Sequence, residues 1–166
     1  MQRILTLVAL FGTLALSGGG LHAHGPGGHA KPAPAAAEQQ PWGIAGDPGK
    51  VSRTVVVRMR DSMRFHPDHL RVRLGETIRF VVRNEGRMLH EMVIGTPAVL
   101  KEHAELMRRY PDMEHDEPWM VHVEPGAVGE IVWHFNRPGV FQYACLIPGH
   151  YEAGMVGRIE VVDRGR

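Results

Sequence analysis

The stretch Phe141-Gln142-Tyr143-Ala144-Cys145-Leu146-Ile147-Pro148-Gly149-His150-Tyr151-Glu152-Ala153-Gly154-Met155 decides how the chain is read. It opens as an apolar strand and turns at Pro148-Gly149 and again at Ala153-Gly154. It then feeds a second apolar run, residues 155–162. It holds the only cysteine of the protein, with a histidine five positions later and a methionine five beyond that. Thiolate, imidazole and thioether together suit a soft or borderline metal, copper above all. One more imidazole completes a His₂Cys set with a weak axial Met, the blue-copper arrangement, and His90 is the candidate.

Other readings of the same residues compete. A single cysteine on a strand is often an inert core residue. A thiol nucleophile with His150 as its base is a second alternative, and zinc is a weaker metal choice because it does not call on a thioether. His90 could equally be a satisfied core histidine.

Outward from this stretch the pattern is β. Strands are expected at residues 54–59, 65–74, 77–83, 89–94, 120–123, 130–135, 140–145 and 155–162, with Gly- and Pro-bearing turns between them. One segment differs. From Pro97, Leu100, His103, Ala104 and Met107 recur at helical spacing until Pro111, so one α-helix near 97–110 interrupts the strands. The expected fold is an all-β antiparallel sandwich with that single inserted helix.

The 166 residues suffice for one domain. Residues 1–23 have the form of a signal peptide: Arg3, an apolar run at 4–16 too short to span a bilayer, and Leu21-His22-Ala23 ending in a small residue. An uncleaved anchor is the alternative. Cleavage after Ala23 removes one basic and no acidic residue, so the 19 basic and 18 acidic residues become 18 and 18. No basic excess is left for nucleic acid. Export points to the periplasm and an oxidising compartment, where a lone cysteine has no internal disulfide partner and a metal is favoured. No second long apolar segment follows, so no membrane span is expected in the mature protein.

Residues 24–50 are rich in Gly, Pro and Ala without apolar periodicity, and read as a flexible tail before a domain at 51–166. His24 and His29 in that tail are solvated residues or a copper-collecting arm. His103, Met107, Met113, His115, Met120 and His122 crowd into the helix and the loop after it. Softness suits such a set to further, weakly held copper, while the plainer reading places Met107 in the core and the others on loops or the surface.

From about residue 51 to 162 the chain resembles the cupredoxins, the blue-copper proteins that include plastocyanin, azurin and rusticyanin. The resemblance rests on His90 after a central strand and on Cys145-x₄-His150-x₄-Met155, a spacing similar to that of rusticyanin. Asn84-Glu85-Gly86, His90-Glu91-Met92-Val93-Ile94-Gly95 and Glu114-His115-Asp116-Glu117-Pro118 resemble, more narrowly, the bacterial periplasmic copper-tolerance cupredoxins. The resemblance implies a Greek-key sandwich with one type 1 copper held by His90, Cys145, His150 and Met155. It also implies a role in copper tolerance rather than an enzyme, with cuprous oxidation the one redox activity left open. The alternative is a soluble one-electron carrier whose redox partner docks near His150, on a patch of Met88, Leu89, Leu146, Ile147 and Pro148. Plastocyanin and azurin place Asn after the first His, where it braces the ligand loops. Here Glu91 stands there, and the bracing is expected to pass to another residue.

Overall fold

Val57 and Met59 in one strand, Ile78, Phe80 and Val82 in the next, and Ile131 and Trp133 in a third are buried at every second position. That period of two lines one face of a sheet with apolar side chains and requires a second sheet to cover it. The computed structural model describes residues 38–163 apart from Asp112, Glu114 and His115. The signal peptide at 1–23, the first part of the tail with His24 and His29, and His115 therefore lie outside the described residues.

Among the described residues, ten strands form two five-stranded sheets. They are β1 (Ile44–Ala45), β2 (Arg53–Arg60), β3 (Arg64–His66), β4 (His69–Arg73), β5 (Thr77–Asn84), β6 (His90–Gly95), β7 (Met120–Val123), β8 (Val128–His134), β9 (Gly139–Ala144) and β10 (Val156–Val162). One sheet runs β1-β8-β5-β2-β3 and the other β4-β10-β9-β6-β7. The sheets are mixed rather than wholly antiparallel, because β2 lies parallel to β5 and β4 parallel to β10. Parallel neighbours need a long crossover, and a sandwich supplies one: between β2 and β5 the chain visits the opposite sheet.

Two further differences have local causes. The run 65–74, expected as one strand, is split into β3 and β4 in different sheets. Pro67 sits at the break, where its missing N–H cannot continue a ladder. The tail expected over 24–50 ends early: β1 pairs with β8, and Trp42 is 3% exposed. Trp42 packs edge-on against Trp119 at 5.6 Å, Trp119 packs against Trp133 at 6.0 Å, and Trp133 Nε1 donates to the Trp42 carbonyl at 3.0 Å. A lone Trp among Gly and Pro carries no periodic signal, so its burial was invisible to pattern.

The helix α1 (Pro97–Arg109) begins at Thr96, whose hydroxyl accepts from the Val99 amide at 3.3 Å, with Pro97 at the first helical position. Its buried face, Leu100, Ala104 and Met107, joins Val93, Met120, Ala144 and Leu146 in a second apolar cluster. The helix therefore buttresses the end of β9 and the start of the loop that follows it.

Trp42→Ala is expected to cost about 3–5 kcal/mol of folding stability, as for other buried aromatic truncations, measured by urea unfolding. A chain begun at Val51 should unfold at lower urea for the same reason, where a flexible tail would leave the midpoint unchanged.

Candidate metal centre

Cys145 follows directly on β9, Met155 directly precedes β10, and His150 lies between them. The loop is closed at its base by backbone bonds. The Cys145 amide donates to the Met155 carbonyl at 3.1 Å, and the Met155 amide donates to the His150 carbonyl at 3.0 Å. Gly149 and Gly154 take φ of 91° and 87°, which turns the chain back within so few residues. His90 arrives from the far side as the first residue of β6, which pairs with both β7 and β9.

One nitrogen from each of His90 and His150 and the Cys145 sulfur lie within 4.8 Å of one another, and all three residues are buried. Cys145 Sγ is 3.2 Å from His150 Nδ1, and the His90 and His150 rings are 4.9 Å apart. The Nδ1 of His90 is buried without a hydrogen-bond partner, as a nitrogen lone pair reserved for a cation would be. Met155 is fully buried and shares the main apolar cluster with Cys145. Two imidazoles, a thiol and a nearby thioether are the donor set that suits copper.

Burial pushes the Cys145 thiol up to about 12 and is the larger cause holding the His150 imidazole below its usual value, with His90 adding to it. Without a cation, thiol and imidazole are therefore both neutral at ordinary pH. Cys145 Sγ also accepts the Glu91 amide at 3.5 Å.

Glu91 performs the bracing itself. Fully buried, it accepts the Leu146 amide on Oε1 at 2.6 Å, tying β6 to the ligand loop. Its Oε2 lies 2.9 Å from Nε2 of His122, its register partner on β7. The Glu91 hydrogen bond is the main cause raising His122 above its ordinary value. The signal for this role was present in the sequence as an acidic residue beside the first His, but its length lets it span a gap that pattern cannot measure.

Two other supports went unread. Asn84, buried, donates to the Met88 and Val123 carbonyls at 2.7 and 2.8 Å and accepts the Gly86 amide at 2.9 Å, shaping the loop that delivers His90. Asp61, from the turn between β2 and β3, lies with Oδ1 3.2 Å from His90 Nε2 and accepts the Arg87 amide at 2.9 Å. It is 29 residues from His90 in the chain, and no local motif connects them.

The remaining candidates separate. Met107 and Met120 pack in the second apolar cluster, each 5% exposed. His122 faces Glu91. His103 and Met113 line one pocket of about 310 Å³ with Glu102, Glu117 and Trp119. Of the expected apolar patch, Met88, Leu89 and Pro148 are exposed and Ile147 is half-buried, but Leu146 is fully buried because it packs against the helix cluster.

Residues 52–162 match the family described as "Copper binding proteins, plastocyanin/azurin family". The chain belongs to this family of copper-binding proteins. The copper-resistant cuproprotein CopI of Rubrivivax gelatinosus is 52% identical over 161 residues, 95% of this chain and 94% of that protein. CopI of Pseudomonas aeruginosa is 34% identical over 154 residues, 75% of this chain and 84% of that protein. An auracyanin B structure superposes with a TM-score of 0.60 at 22% identity, covering 72% of this chain and 94% of its own, a likeness of fold. The cofactor of this cupredoxin is copper, and the His90–Cys145–His150 group is compatible with a type 1 site.

Two outcomes are expected. The Cys145 proton must leave when the thiolate takes a cation, and the thiol titrates far above neutrality. Apparent Cu(II) affinity should therefore rise with pH, roughly tenfold per unit between about pH 6.5 and 8; competition titration reads this, and a flat profile would contradict it. Glu91→Ala should weaken copper binding about 10–100-fold, the usual cost of a lost outer support. Glu91→Gln keeps an acceptor for the Leu146 amide and should lose less.

Proposed function

We propose that this cupredoxin holds one copper through His90, Cys145, His150 and Met155 and acts in copper tolerance in the periplasm. The observation that carries the reading is the buried imidazole–thiol–imidazole group, in a chain 52% identical along nearly its whole length to a protein named for copper resistance. In this assignment Cys145, as thiolate, would hold the copper with His90 and His150, and the Met155 thioether would be the weaker fourth donor. Bound copper supplies a one-electron couple. The chain's part is to present donors already held in place by the loop bonds, by Glu91 and by the helix cluster, so little rearrangement accompanies a change of charge.

Residues 1–23 as a cleaved signal peptide and the histidines His24 and His29 as a copper-collecting arm belong to the same reading. Among the described residues no helix is long and apolar enough to cross a membrane. Weaker, additional copper near His103 and Met113, which line one pocket, belongs to the same reading. The protein is read as a binder with redox capacity rather than as a catalyst. A second reading, electron carriage, is favoured by Met88 and Leu89, 42% and 39% exposed just before His90, and by exposed Pro148 close to His150. A redox partner with an apolar face would dock there.

Cys145→Ser should abolish the visible charge-transfer band that Cu(II) produces; a variant that keeps its colour would overturn the ligand set. Cells lacking the gene should grow poorly on added copper and respire normally without it. A respiratory defect at ordinary copper levels would favour the carrier instead.

A further inference from the structure

Asp61 reaches His90 from the opposite sheet. It sits in the turn joining β2 to β3, in one sheet, whereas His90 begins β6 in the other. Its carboxylate gathers three donors that converge on the metal end of the sandwich. The Arg87 amide reaches both oxygens, at 3.1 and 2.9 Å, and the Met88 amide reaches Oδ1 at 3.3 Å. His90 Nε2 lies 3.2 Å from the same Oδ1. Gly86 leaves room for this approach, since a Cβ there would collide with the Asp61 carboxylate.

An ionised carboxylate only accepts hydrogen bonds. With Oδ1 at hydrogen-bond distance, Nε2 of His90 must be the protonated ring nitrogen. The other nitrogen, Nδ1, then carries a lone pair, and it is the buried atom without a partner. His90 is fully buried, so no water competes for this choice.

We propose that Asp61 is a positioning residue for the copper centre: it fixes His90 as the Nε2–H tautomer with Nδ1 presented to the cation, and it lowers the centre's reduction potential. The second effect follows from the first. A carboxylate bonded to the far nitrogen makes the imidazole a stronger electron donor. It also places a negative charge one ring away from the copper. Both favour Cu(II) over Cu(I). The inference rests on His90 being a copper ligand, as proposed above.

The test uses the full chain in two states. In the metal-free protein, ¹⁵N-detected imidazole spectra of His90 should report the Nε2–H tautomer. In Asp61→Asn one oxygen becomes an NH2 donor; turned toward His90 it leaves an oxygen for the Arg87 amide but gives Nε2 no acceptor, so the tautomer is no longer pinned. The spectrum should then show the Nδ1–H form appearing. In the copper-loaded protein, Asp61→Asn should keep the visible band while the Cu(II)-over-Cu(I) preference falls about tenfold, a rise of about 59 mV for a one-electron couple. Asp61→Glu should stay closer to the parent in both measurements. His90 found as Nδ1–H in the metal-free parent overturns the proposal. So does an Asp61→Asn protein that folds, binds copper and shows an unchanged tautomer and potential. A parent that gives the expected tautomer but binds copper without His90 would instead overturn the ligand assignment while leaving the Asp61–His90 pair standing.

Discussion

The hydrogen bond from the Leu146 amide to the buried Glu91 carboxylate, at 2.6 Å, is the constraint on which the site's geometry depends. The candidate donors come from two places that have no covalent reason to meet: one residue at the start of β6 and three positions on the loop between β9 and β10. Sheet pairing brings β6 beside β9, but a ladder fixes backbone and not the loop beyond its end. Glu91 extends the connection past the last ladder pair. A buried carboxylate is costly unless its oxygens are engaged. Here one oxygen takes the loop amide and the other faces His122 across the β6–β7 pair. The cost of burying the charge is thereby tied to keeping the loop in place, so loss of loop geometry would also strand the carboxylate.

At the same end of the molecule, burial disfavours charge on Cys145 and on His150. The thiol titrates high and His150 low, both chiefly because they are out of water. A pre-formed thiolate would be repelled by Glu91, buried close to it. A neutral thiol, 3.2 Å from a neutral imidazole, is the state this burial favours. A cation taken up by Cys145 would then displace the thiol proton.

The parts of this arrangement that were legible in the sequence are those written in local spacing. Cys145, His150 and Met155 lie on one short loop, and their order points to a soft or borderline metal, copper above all. The alternation of Ile131 and Trp133 with Val132, or of Leu70 and Val72 with Arg71, marks strands because burial on one face repeats every second residue. The 97–109 helix is marked by Thr96, Pro97 and the spacing of Leu100, Ala104 and Met107. What escaped was set by contacts between distant segments. Pro67 divides an apparently continuous strand because its two halves serve different sheets. Trp42 is core because Trp119 and Trp133 are there to receive it. Leu146 looks like part of an exposed patch until the helix is placed against it. Asp61 has no signal at all, since its meaning lies in a ring nitrogen of His90 in the other sheet.

The methionines between the helix and β7 show how composition can mix two purposes. Met107 and Met120 are soft donors by chemistry, yet they sit with Leu100, Ala144 and Leu146 and fill the space behind the ligand loop. A flexible, unbranched side chain is well suited to that irregular gap between a helix and a sheet end. Their burial uses the thioether as packing and removes it from solvent. Met113, in contrast, shares a pocket with His103 and Glu117. A cluster of Met and His along the chain is thus divided by the fold into a wall behind the loop that carries Cys145 and a separate pocket where His103 and Met113 lie beside Trp42 and Leu106. The wall matters more to the centre, because the loop carrying Cys145 rests on it directly through Ala144 and Leu146.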